Sequence, residues 1–187
     1  AKASRLKGRL RSWDSIAIPL WGGLAQGNCV QLGYFCMQLP AMQRDPAMAF
    51  ASRAADETDI RRVRGWNRRI LPSDQDGLPS WNNLIADLTA LIDEFRPEVI
   101  VTPHPRRDPH PDHVAATQAV IETCRRSTWK PESFLLYANH LHDNDRWPMG
   151  PTGEGMTLPP SFDATELERF WSLPVSPEAQ IDKAMAL

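Results

Sequence analysis

The chain has no histidine before residue 104, and all five of its histidines lie between 104 and 142. Imidazole chemistry is therefore confined to one stretch. Its three cysteines, Cys29, Cys36 and Cys124, are odd in number and include no Cys-x-x-Cys pair. That argues against a disulfide framework and for reduced thiols in a cytoplasmic setting. No apolar run reaches membrane-spanning length and no signal peptide is visible, so no membrane span is expected. A formal net charge of −2 leaves no global footprint for a polyanion, so no nucleic-acid partner is expected. The basic start (Lys2, Arg5, Lys7, Arg9, Arg11) reads as a solvated helix face rather than a phosphate or membrane contact. No Gly-x-Ser-x-Gly occurs, so nothing points to a nucleophile elbow. Repeats and clean boundaries are also lacking, and 187 residues suit one domain over 1–187.

Three of the five histidines fall in one run, Thr102-Pro103-His104-Pro105-Arg106-Arg107-Asp108-Pro109-His110-Pro111-Asp112-His113. Its prolines fix imidazole and carboxylate groups at short spacing, and that pair of groups is the usual ligand set for Zn²⁺ and related metals. Upstream, Leu84, Ile85, Leu88, Leu91, Ile92 and Phe95 form one apolar stripe at helical spacing, with Ser80 as N-cap. Arg96-Pro97 ends that helix. Val99 to Thr102 is apolar on both faces and predicts a buried strand of a parallel sheet. A second helix is predicted from Asp112 to about Arg126, with Pro111 at its first turn. Helix, strand, His/Asp loop and helix together place the run at the carboxyl end of a strand, where open α/β sheets bind ligands. His-Pro-Asp-His would also serve simply as a helix start.

The segment from Leu91 to His104, followed by Asp108-Pro109-His110-Pro111-Asp112-His113, resembles the second signature of the PIG-L/LmbE-like family. These are metal-dependent N-deacetylases of N-acetylglucosamine-type sugars. The resemblance implies an α/β fold: a three-layer, Rossmann-like, mostly parallel sheet. It makes His113 a metal ligand and gives catalytic roles to His110 and Asp112. His110 would stabilise or protonate the tetrahedral intermediate, and Asp112 would orient an imidazole. Zn²⁺ or another divalent metal would be the cofactor. The family's opening His-Pro-Asp-Asp motif, which supplies two ligands and the base, does not occur in this sequence. The expectation is a fragment incomplete at its N-terminal sheet edge, with Asp108 as the nearest substitute base. The alternative is a metal-free, carbohydrate-binding or structural relative without turnover. By the same resemblance Arg53 and Asp76 would face sugar hydroxyls, against a surface arginine and a plain turn aspartate.

A second polar loop, Tyr137 to Trp147, follows an apolar strand predicted at Phe134–Ala138. Asn139, His140 and Trp147 there have the character of sugar-binding groups, although a solvated connection fits the composition equally. The expected partner is a small N-acetylated sugar or glycoconjugate, and the oligomeric state is open. Elsewhere the pattern predicts a helix or tail over 1–12, a strand over 14–20 and a turn at Trp21-Gly22-Gly23. Residues 27–43 read as a helix, with strand-like alternation from Cys29 to Met37. The Pro/Gly-rich stretch 148–160 suits an active-site flap. A strand over Arg169–Leu173 and a helix begun by Ser176-Pro177-Glu178 complete the reading. The seven scattered tryptophans read as core or rim packing.

Overall fold

The computed structural model describes residues 2–55, 57–140, 171 and 173–186. Its elements are α1 (Lys2–Trp21), α2 (Leu39–Arg44), α3 (Trp81–Phe95), β1 (Val99–Pro103), α4 (Pro111–Arg126), β2 (Ser133–Tyr137) and α5 (Pro177–Ala186). Short 3₁₀ turns occupy Gln26–Asn28, Ile60–Val63 and Pro72–Gln75.

The helices nearest the histidine run follow their sequence signals. Ser80 caps α3 by accepting the Asn83 N–H. Arg96 closes it in a left-handed conformation at φ +48°, a costly choice for a non-glycine residue. Pro97 bars the right-handed helix from continuing through Arg96. β1 pairs with β2 in parallel, Val99 opposite Ser133 through Pro103 opposite Tyr137. With α4 as the crossover this is a β-α-β unit. The core joins α2, α3 and α4 through Met42, Trp81, Leu84, Ile85, Ala115 and Ala119. Each large apolar side chain there contributes roughly 1.5–3 kcal/mol by leaving water.

Three expectations are corrected. Residues 14–20 are not a strand but the second half of α1. Leu6, Leu10, Trp13, Ala17 and Leu20 keep helical spacing through that region, and Pro19 is tolerated in the last turns. Residues 27–43 are not one helix, because Cys29 to Phe35 has no regular secondary structure and only Leu39–Arg44 is α-helical. Gly33 breaks it at φ +78°, where a Cβ would lie 2.8 Å from a Val63 methyl. β1 is not buried on both faces: Val101 is 63% exposed. The expected α/β class holds: among the described residues the sheet is a parallel pair of strands packed with helices. Of the strand expected at 169–173 only Trp171 and Leu173 are described, and neither is in a strand. Only Trp81 of the described tryptophans is in the core, with Trp13, Trp21, Trp66 and Trp171 exposed. The helix begun at Ser176 is present, its hydroxyl accepting the Ala179 N–H.

Candidate functional site

Parallel pairing brings the loops after β1 and β2 out at one sheet edge. Pro103 lies opposite Tyr137, and the next amide, His104 N–H, donates to the Tyr137 carbonyl at 2.6 Å. Thr117 of α4 fastens the helix to the same edge. Its hydroxyl donates to the Pro103 carbonyl at 2.6 Å and meets the Thr102 hydroxyl at 3.0 Å.

Asp108 sits at the centre of this edge with no exposed surface. One carboxylate oxygen meets His113 Nδ1 at 2.8 Å and accepts the Asn139 and His140 N–H groups at 2.9 and 3.4 Å. The other accepts the His110 N–H at 3.1 Å. Burial pushes the Asp108 carboxyl up, but the His113 and backbone hydrogen bonds outweigh it and hold the carboxyl at about 2. An ionised Asp108 makes His113 the donor through Nδ1, which in the neutral ring leaves His113 Nε2 with a lone pair.

His110 is the N-cap of α4. Its Nδ1 accepts the Asp112 N–H at 3.2 Å, so in the neutral ring the proton is on Nε2. The helix-start reading of His-Pro-Asp-His is therefore true, and it leaves a histidine with a defined tautomer. Three imidazoles gather here. The His110 ring centre is 4.6 Å from that of His113 and 5.4 Å from that of His140, and His113 is 5.3 Å from His140. His104 lies at the start of the loop, its Nδ1 accepting the Arg106 and Arg107 N–H groups at 3.1 Å each.

Asp112 does not orient an imidazole. Its carboxylate accepts the Met37 and Leu39 N–H groups and so ties the start of α4 to the approach to α2. The orienting carboxylate is Asp108. Sequence reasoning considered it only as a stand-in base, and its position between two imidazoles in the proline-rich run was the available signal. Asp76 caps a turn: one of its oxygens accepts the Leu78 N–H and an Asn83 side-chain N–H, each at 2.8 Å. The Gly77 that follows has φ +71°, and a Cβ there would collide with Asp59 at 2.3 Å. Arg53 is exposed on the turn at 53–55. Asn139 is exposed and contributes its backbone to Asp108. Trp147, His142 and the stretch 148–160 lie outside the described residues.

His113 Nε2, steadied from behind by Asp108, fits one position of a metal's coordination sphere. Among the described residues, no group of three or more His, Cys, Asp or Glu side chains is placed to hold a metal ion. The donor type therefore fits, with one such donor placed among the described residues.

Residues 43–124 match the family model PIG-L, described as GlcNAc-PI de-N-acetylase. Over these residues the chain is similar to the PIG-L/LmbE-like family. No curated protein and no solved structure gives a match. The PIG-L segment contains Asp108, His110, Asp112 and His113, and it ends within α4. Asn139 and His140, which close the site from β2, lie beyond it. Among the described residues no helix is long and apolar enough to cross a membrane.

Proposed function

We propose that the chain supplies the His-Pro-Asp-His side of a metal-dependent hydrolase that removes the N-acetyl group from an N-acetylglucosamine-type sugar. The observation that carries this is the Asp108–His113 pair beside His110, which leaves the Nε2 atoms of two adjacent imidazoles in different states. His113 Nε2 offers a lone pair and would ligate Zn²⁺ or another divalent metal. Such an ion supplies Lewis acidity toward the amide carbonyl. His110 Nε2 offers a proton. It can hydrogen-bond the tetrahedral oxyanion and, once Nδ1 takes a proton in place of the Asp112 N–H bond, protonate the leaving amine as the C–N bond breaks, giving acetate and a free amino sugar.

Neither nearby aspartate is suited to take the proton from water. Asp108 spends both oxygens on His113 and on backbone donors, and Asp112 spends its oxygens on Met37 and Leu39. The remaining ligands and the base would come from outside the described residues. His140, Asn139 and Trp147 would bind the sugar at the rim, and Arg53 and Asp76 would meet its hydroxyls.

Substitution of His110 tests the role. Asparagine keeps the cap, because its side chain also accepts the N–H. His110→Asn should leave the fold and zinc content intact and slow acetate release by roughly 10²–10⁴-fold. His113→Ala should lose the zinc. A full-rate His110→Asn enzyme would remove His110 from the chemistry. A second reading is a carbohydrate-binding relative without turnover, since the family's His-Pro-Asp-Asp motif does not occur in this sequence. Saturable sugar binding with no acetate release at any zinc concentration would establish that one instead.

A further inference from the structure

α1 carries a feature that the histidine site does not use. Its single buried residue is Ile16. Arg5 donates to the Ala55 carbonyl and Ser15 accepts from Gln31, so the helix meets the body of the protein along that side. The helical repeat puts Leu6, Leu10, Trp13, Leu20 and Trp21 together on another side. All five are exposed: Leu6 by 60%, Leu10 by 55% and Trp21 by 66%. Five basic residues (Lys2, Arg5, Lys7, Arg9, Arg11) and one acidic residue (Asp14) lie on α1, in a chain whose net charge is −2. At the edge of the stripe a cavity of about 450 Å³ opens between α1 and residues 62–66. Arg9, Trp13, Arg62 and Trp66 line it, with the two indoles edge to face at 4.8 Å. Trp13 thus belongs to both the apolar stripe and the arginine-lined cavity.

We propose that α1 is an interfacial helix: its Leu/Trp stripe lies on an anionic phospholipid surface, and Arg9 and Arg62 hold lipid phosphates in the cavity beside it. An apolar stripe bordered by lysine and arginine, with tryptophan at its edges, matches the lipid interface in both polarity and charge. A second copy of the chain would bring the same positive charge against itself. A purely apolar protein partner would leave the basic border unused. This inference is independent of the histidine cluster and goes beyond the deacetylase reading.

Flotation of the whole chain with lipid vesicles tests it. The chain should float with vesicles of phosphatidylcholine mixed with phosphatidylserine, and remain behind with phosphatidylcholine alone or in high salt. Arg9→Ala and Arg62→Ala should each weaken partitioning about fivefold. Leu10→Glu should weaken it on the order of tenfold or more, since a leucine no longer enters the interface. Leu6→Gln on the same stripe serves if Leu10→Glu fails to fold by circular dichroism. Equal flotation of the variants, equal binding to neutral vesicles, or binding of inorganic phosphate without flotation would overturn the proposal. So would a dimer in solution that Leu10→Glu dissociates while wild-type protein ignores vesicles.

Discussion

A carboxylate with no exposed surface stays ionised only if donors replace its water, and Asp108 has four: one imidazole and three backbone N–H groups. The same contacts that depress its pKa join the two strand-end loops. The consequence for stability has a definite sign. A carboxyl whose folded pKa is about 2, against 3.8 for the free group, adds stability that is fully present above the free value. That stability is lost as pH falls from about 4 to about 2, and amounts to on the order of 2 kcal/mol. Asp108→Asn keeps the size but not the charge. It should lower stability at neutral pH and flatten the acid limb of a urea-midpoint-against-pH curve. An unchanged acid limb would show that another carboxyl governs acid unfolding. His113 should also lose its fixed tautomer in this variant, so metal affinity should fall with it.

Elements differ in how openly the sequence displays them. α3 is legible because an apolar stripe, a cap and a proline agree, and α4 because Pro111 opens a helix-compatible run behind His110. β1 and β2 were placed within a residue of their observed bounds. α1 was not, because Ser15 to Leu20 alternates like a strand while the stripe that makes it helical begins at Leu6. The 29–37 segment depends on Gly33 and Met37 at positive φ, and Met37 is a residue type that gives no warning of that. At the site, the histidine run was plain in the sequence, whereas the Asp108 hub was not. Two of its donors lie 31 and 32 residues away, and only strand pairing brings them close. Asp112 differs for the same reason: spacing puts it beside two imidazoles, but folding puts its carboxylate against the Met37 and Leu39 N–H groups. Removing that tie should matter to the elements it joins. Asp112→Ala leaves two N–H groups without their acceptor and should cost about 1–3 kcal/mol. Faster amide exchange at Met37 and Leu39 should accompany it, and wild-type exchange at those two amides would refute the tie.

At the scale of the whole molecule, a buried ionic network joins what the apolar core does not. Arg64 is 5% exposed, and Asp87 of α3 is fully buried. The guanidinium meets Asp87 and Asp74 at 2.8 Å each and donates to the Ser73 hydroxyl and the Leu32 carbonyl. Tyr34 donates to Asp87 at 2.9 Å, and its hydroxyl is pushed well above its ordinary pKa by burial and by that carboxylate. The irregular 29–35 segment, the Ile60–Val63 turn, the Pro72–Gln75 turn and α3 are thereby fixed to one another. Removing one charge from such a pair leaves the other buried and uncompensated, which costs about 3–5 kcal/mol, whereas replacing both with apolar groups is often neutral. Arg64→Met alone should therefore lower the urea midpoint sharply. Arg64→Met with Asp87→Leu should recover part of that loss, limited by the Tyr34 and Ser73 hydroxyls that would then lack Asp87. Simple additivity of the two substitutions would show that the network does not act as a unit, and that the loops around Arg64 are held by their backbone hydrogen bonds instead.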